Sequence, residues 1–450
     1  MPRQAYIRLR TEGLFWFAFL LWTLLPMSRI PWISPAGIPI RLTHVVLVIA
    51  AYLYLLAITS VPGRRVFESS PGAARLKNAA LAVFAYAALS ILWSNMTRQD
   101  AIAMAVTVGL SACALILGYS LVSGASAESV RRFLWRLTVA LAAVGLLYSC
   151  ESLFSLGLRG PQSASDFIIQ RVKGPLFGAA HGHFILLPAL GFAAQEMLLN
   201  RRRPVLKALV ILSLLITIVG MGSRTALIML GLFVLLVAVV LKSRRQRLLI
   251  ISLLILTIGL AALTVFSKAS SQRVMSLESL HRAVTLQSAW RTVSDRGIAA
   301  NVIGSGYGSI WPWYMIAAER STGSTVFAEG FIMSPGGPVA YHPHSDILML
   351  VVELGVPGVA FFVALWVFLV GHLRFSVRHS YRPIAASALA LSAASMFTNF
   401  FLFKLWGVAA IWWAFVFGSF VMAESGKAHE REEQDYRYST QGGAGPDGGE

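Results

Sequence analysis

The sequence predicts an all-α polytopic membrane protein of about twelve transmembrane helices, with one large, partly helical loop on the outer side. Three observations carry that class. Of 450 residues, 56% are hydrophobic and only 13% charged, with a mean hydropathy of +0.68. A soluble domain carries roughly 25% charge, and a disordered chain needs low hydrophobicity and high charge. Apolar runs of about 20 residues, the length that crosses a hydrocarbon core, recur along the chain. Basic residues gather between alternate runs, as the orientation rule for cytoplasmic loops requires. The net charge of +18, from 38 basic and 20 acidic residues, is therefore loop charge rather than a nucleic-acid surface. Cys113 and Cys150 lie in or beside apolar runs and give no disulfide framework or metal spacing.

The apolar runs fall at about 12–28, 39–61, 77–94, 101–122, 133–150, 176–199, 204–221, 224–241, 248–266, 347–371, 384–400 and 404–422. Arg3, Arg8 and Arg10 precede the first, but no small-residue cleavage site follows it, so it reads as a span and not a removed signal. With the N-terminus in the cytoplasm, alternation puts 24 of the 38 basic residues in inner segments. Every inner segment then carries at least three, including Arg131, Arg132 and Arg136, or Arg201, Arg202, Arg203 and Lys207. Both chain ends are expected inside. Residues 1–424 form the membrane domain, and 425–450 read as a disordered cytoplasmic tail ending in a Gly-rich stretch.

Two outer segments are long, 151–175 and 267–343. Loops of such length are usually functional or disordered, and the second is too aromatic for disorder, with Trp290, Tyr307, Trp311, Trp313 and Tyr314 among its residues. Its start, 272–296, has helical spacing of Val274, Leu277, Leu280, Val284, Leu286 and Trp290, and Gly304-Ser305-Gly306-Tyr307-Gly308 is a turn.

Candidate chemistry lies in four clusters, all on the outer side. His342-Pro343-His344-Ser345-Asp346 stands where the long loop re-enters the membrane, and Glu353 follows inside the apolar run. Asp346 and Glu353, seven apart, share one helical face. Gly355, Pro357 and Gly358 predict a kink or break just beyond. An acid in a span faces a cavity or a partner; for Glu353 that is either a site or an arginine pair that fixes packing. Gly222-Ser223-Arg224 opens the eighth span, and Arg224 is either a site arginine or an interfacial one that snorkels. Arg171, Lys173, Gly174 and Pro175 precede His181 and His183 at the sixth span. His281, Arg282 and Arg291 lie on the loop helix. Arginines without matching acids form an anion site, and Arg binds phosphate bidentately. A histidine beside it can take or hold a proton near neutral pH. The residues alone point to an outer-leaflet site for a phosphorylated, lipid-like substrate. Two rivals stay open: a metal held by His181, His183, His342 and His344, and a transporter of an anionic or lipid-linked substrate.

These residues resemble the O-antigen ligase and polymerase superfamily of bacterial membrane glycan enzymes. The most specific match runs from His344 through Leu348 and Glu353 to Gly355 and Gly358, with Ser345 where the family usually has Asn. Ser223-Arg224-Thr225 opening a span is similar, as are Arg282 and Trp290 before Gly304-Ser305-Gly306, with Arg291 as the alternative loop arginine, and Arg171 before Gly174-Pro175. The resemblance covers roughly residues 170–360. It implies a metal-independent glycosyltransferase of the cell envelope and polysaccharide biosynthesis, in the bacterial inner membrane with its active site in the periplasm. The donor would be a glycan on undecaprenyl pyrophosphate, and no cofactor is needed. A ligase would pass the glycan to lipid A–core of lipopolysaccharide, a polymerase to another repeat unit, and the sequence leaves both open. His344, Arg224 and Arg282 would be catalytic; Arg171, His342, Asp346, Glu353 and Arg291 would bind substrate.

Overall fold

A computed structural model describes residues 3–24, 42–59, 70–94, 98–154, 176, 181–200, 202–240, 277–311, 331–334, 337–340, 344–377, 383–399, 401–403 and 405–442. The apolar runs become helices: α1 (Arg3–Leu24), α2 (Leu42–Thr59), α3 (Pro71–Ser90), α4 (Arg98–Ser120), α5 (Ala127–Phe154), α6 (His183–Leu199), α7 (Pro204–Gly220) and α8 (Arg224–Val240). Two further helices follow, α9 (Leu277–Asp295) and the short α10 (Ile298–Ile303). Then come α11 (Asp346–Val377), α12 (Pro383–Ala394) and α13 (Trp406–Gly442). These helices overlap eleven of the twelve predicted spans; 248–266 lies outside the described residues. Five segments are long and apolar enough to cross a membrane: Pro71–Trp93, Asp100–Ser120, Ala127–Glu151, Asp346–Gly371 and Trp406–Glu424. Five further apolar helices are shorter, among them His183–Leu199 and Arg224–Val239. With no water in the hydrocarbon layer, helices satisfy their own backbone groups, and a bilayer is the environment this surface requires.

Two features depart from expectation. A hairpin of β1 (Phe331–Ser334) and β2 (Gly337–Ala340), with Phe331 opposite Ala340, sits in the segment expected to be a loop with helix. The tail expected to be disordered from 425 instead continues α13 to Gly442. Glu424, Lys427, Ala428, Glu430, Arg431, Glu432, Glu433 and Gln434 are good helix formers, and propagation from a formed helix needs no new nucleus. The glycines after Gln441 lack that propensity.

The membrane part of α13 is the centre of the bundle. α1, α3, α4, α5, α6, α11 and α12 all pack against it, and Trp412, Trp413, Phe415 and Phe417 are buried in it. Small residues permit close crossings, as in other membrane helices. Gly118 of α4 abuts Trp413 and Ala410, and Gly191 of α6 abuts Ala385 and Ala388 of α12, each closely enough that a methyl group would clash.

The two ends of the bundle differ chemically. At one end, Glu196 at the close of α6 holds Arg131 of α5 through both oxygens, at 2.6 and 2.8 Å. Lys207 of α7 donates to the Glu196 carbonyl at 2.8 Å. Arg136 of α5 meets Glu12 of α1 at 3.0 Å. The start of α3 is fixed by Ser70, whose hydroxyl accepts from Ala73, and by Glu424 of α13, which accepts from the Gly72 amide at 3.1 Å. The other end carries His183, Arg224 and His344.

Candidate functional site

The starts of three helices meet at one turn. α11 begins at Asp346, α8 at Arg224 and α6 at His183, and all three make contact with the residues that follow α12, at Thr398, Asn399, Phe401 and Leu402. Serine hydroxyls cap two of the starts. Ser345 accepts from the Leu348 amide at 3.1 Å and donates to the Met396 carbonyl at 3.1 Å. Ser223 accepts from the Ala226 amide at 3.4 Å. A serine at this position caps the helix as well as an asparagine would.

Thr398 and Asn399 tie the three starts together. Thr225, next to Arg224, shares a hydroxyl contact of 3.2 Å with Thr398. The Asn399 carbonyl accepts from the Asp346 amide at 3.1 Å. The Asn399 side-chain nitrogen lies 3.4 Å from His183 Nε2 and 3.3 Å from the Thr398 hydroxyl. His183 is wholly buried and stacks on Phe184; its Nδ1 has no hydrogen-bond partner among the described residues. The amide ends of three helix dipoles therefore converge, and helix N-termini favour anions.

Asp346 is fully buried, and its carboxylate accepts from the amides of Phe401 at 3.1 Å and Leu402 at 3.3 Å. It locks α11 to the turn. His344, two residues earlier, is half-buried with φ of +52°. A non-glycine residue is uncommon in that region, and the anchors at Ser345 and Asp346 hold it there. Arg224 is exposed at the first position of α8. Arg291 is exposed on α9. Arg282 also lies on α9, with its side chain outside the described part; Arg171 and His342 lie outside the described residues altogether. The structure thus brings the clusters around His344, Arg224 and His183 together. It joins α9 to them through α11.

That joint is the break in α11. Gly355 has φ of +61° and ψ of −140°, so the predicted kink is present. Pro357 has no N–H to give the Glu353 carbonyl. The freed carbonyls are taken by the glycine turn and by Arg296. Ser305 donates to Val352 from its amide at 3.3 Å, and Gly306 to Glu353 at 3.0 Å. The Arg296 guanidinium donates to the carbonyls of Val352 at 2.6 Å and Val351 at 3.4 Å, and to the Asn301 side chain. Burial pushes this guanidinium down from its usual value. Gly304, with φ of +77°, packs backbone to backbone on Gly355, and a methyl on either would overlap the other's segment. Only glycine fits both positions.

Glu353 completes the joint. It is 1% exposed. Its Oε2 accepts from the Gly308 amide at 3.0 Å, and its Oε1 from Ile310 at 3.0 Å and Trp311 at 2.9 Å. Its carboxylate partners among the described residues are backbone amides, not an arginine, so this acid holds the glycine turn against α11. Tyr86 of α3 donates to the Ile303 carbonyl at 2.7 Å, and the Ser90 hydroxyl accepts from the Tyr307 amide at 2.9 Å.

Sequence reasoning missed Arg296, Thr398 and Asn399. Thr398 and Asn399 did carry a signal, being adjacent polar residues near the end of an apolar run. Arg296 carried none beyond its charge. The helix expected at the start of the long loop is present as α9, and its spacing alone did not say which face packs inward. Thr285, Ser288, Ala289 and Thr292 are buried, whereas Leu286 and Trp290 are exposed. Among the described residues no group of three or more His, Cys, Asp or Glu is placed to hold a metal ion. Neither a family model nor a curated protein matches this chain.

Proposed function

We propose that this chain is a membrane glycosyltransferase that moves a glycan from undecaprenyl pyrophosphate to a sugar hydroxyl, in the manner of an O-antigen ligase acting on lipid A–core. The observation that carries the reading is the meeting of three helix starts, bearing His183, Arg224 and His344, around Thr398 and Asn399. In this reading twelve spans cross the bacterial inner membrane, both chain ends are cytoplasmic, and the site faces the periplasm. The basic residues of the opposite end, Arg131 and Arg136 in ion pairs and Lys207 bonded to the Glu196 carbonyl, agree with a cytoplasmic placement of that end.

The chemistry follows from charge. The acceptor hydroxyl oxygen attacks the anomeric carbon, the bond from that carbon to the pyrophosphate oxygen breaks, and the lipid pyrophosphate leaves with the electron pair. Arg224, an arginine of α9 (Arg282 or Arg291) and Arg171 hold the leaving group and stabilise its growing charge. His344 takes the hydroxyl proton. By the resemblance, His342 would bind substrate. Asp346 and Glu353 act by position, because their carboxylates are held by backbone amides.

The test is purified protein with undecaprenyl-pyrophosphate-linked glycan, offered either lipid A–core or donor alone. Transfer to lipid A–core alone is expected. Ladders from donor alone would make the chain a polymerase with the same site. An inserted His344→Ala protein that still transfers would remove His344 from catalysis, and full activity in Arg224→Lys would argue against a bidentate phosphate contact. Absence of transfer by folded wild-type protein would overturn the enzyme reading in favour of binding or transport.

A further inference from the structure

α10 has the sequence Ile298-Ala299-Ala300-Asn301-Val302-Ile303, and not one of its residues is buried. Ile298 is 84% exposed, and Val302 and Ile303 nearly half. Trp290, on the preceding α9, is 70% exposed. In water such a helix has nothing to drive its formation. Its polar member, Asn301, turns the other way, donating to the Val293 carbonyl at 2.9 Å and accepting from Arg296. The elbow of α9 and α10 therefore has a polar inner side and an apolar outer side.

Its position says what covers the apolar side. The end of α10 is pinned to α3 by the bond from Tyr86 to Ile303 and to α11 by the contact of Gly304 with Gly355. At both pins the neighbouring helices also expose apolar side chains, Leu92 beyond the end of α3 and Val356 in α11. The outer side of the elbow is thus continuous with the surface that these membrane-length helices give to lipid. From Gly355 to the apolar end of α11 at Gly371 is about 24 Å at 1.5 Å per residue, against a core of about 30 Å. The break, and α10 with it, then lies at the edge of the hydrocarbon, where an exposed tryptophan is at home.

We infer that the α9–α10 elbow is seated in the bilayer, with Ile298, Val302, Ile303 and Trp290 against lipid, rather than standing in water as part of a free loop. A second copy of the chain is the rival occupant.

The test uses the full chain in phosphatidylcholine–phosphatidylglycerol vesicles, in a Cys113→Ala, Cys150→Ala background. A nitroxide is attached at Ile298→Cys, at Val363→Cys on the exposed face of α11 as the lipid reference, and at Arg291→Cys as the aqueous reference. Collision rates with oxygen and with a water-soluble nickel chelate are compared. The expected result is that Ile298 favours oxygen as Val363 does, with nickel relaxation several-fold below that at Arg291. Val302→Cys serves if Ile298→Cys fails to fold. Nickel access equal to that at Arg291 would overturn the proposal. So would spin–spin broadening at Ile298 that disappears on dilution with unlabelled protein, since a second copy would then cover the elbow.

Discussion

Replacing Glu353 by Gln tests the clamp on the glycine turn. The carboxylate serves three buried amides, Gly308 through one oxygen and Ile310 and Trp311 through the other. Glutamine keeps one oxygen and presents an NH2 group in place of the second. The least costly orientation keeps the oxygen toward Ile310 and Trp311, so the Gly308 donor faces another donor. A buried donor left unsatisfied costs about 1–3 kcal/mol. At 1.4 kcal/mol per tenfold, local opening of the turn should then rise by roughly 5- to 140-fold. Glu353→Ala orphans all three donors and should cost up to about 9 kcal/mol by the same count, enough to detach the turn. The assay is hydrogen–deuterium exchange in detergent, followed at the amides of 305–311 with those of α5 as the reference. Faster exchange confined to 305–311 is expected for Gln. Protection of that segment unchanged in Glu353→Gln would refute the clamp.

Further expectations concern single sites. Gly355→Ala and Gly304→Ala force a methyl into opposing backbone at positive φ and should sharply reduce the yield of monodisperse protein, whereas Gly231→Ala, with open space around it, should be neutral or raise the melting temperature. Glu196→Ala strips Arg131 of its two-oxygen partner and should destabilise by about 1–3 kcal/mol, lowered from the fully buried case because Arg131 is a third exposed; thermal unfolding in detergent reads it, and an unchanged melting temperature counts against the pair. Asn399→Ala removes the side chain that meets His183 and Thr398, and transfer by inserted protein should fall at least tenfold; unchanged transfer would separate Asn399 from the site.

What the sequence could and could not tell follows from the range of each interaction. The membrane helices were legible because burial in lipid writes a local signal, a run of apolar residues of fixed length. The break in α11 was legible for the same reason, since Gly355 and Pro357 act on their own backbone. The clusters at His344 and Arg224 were visible as polar residues at the starts of apolar runs. The partners of Glu353 were not, because they are backbone amides more than 40 residues away, and any residue type supplies an amide. Arg296 was hidden similarly: it serves carbonyls freed by a break on another helix. The buried face of α9 was not legible, because helical periodicity shows that a stripe is apolar but not whether protein or another medium faces it. The tail misled because composition weighed its terminal glycines against an adjoining run of helix formers.

The burial of α13 has a consequence for biosynthesis. The segment Trp406–Glu424 is enclosed by α1, α3, α4, α5, α6, α11 and α12, yet it is made after every one of them. Until it is synthesised, those helices surround a groove whose walls are shaped for Trp412, Trp413 and Phe417. Assembly must therefore wait for α13, and the earlier helices can reach only a loose, unclosed arrangement in the membrane. A ribosome stalled before residue 406 would leave an insertion intermediate that cellular proteases can recognise, and a peptide of 406–424 supplied separately is the piece that intermediate lacks.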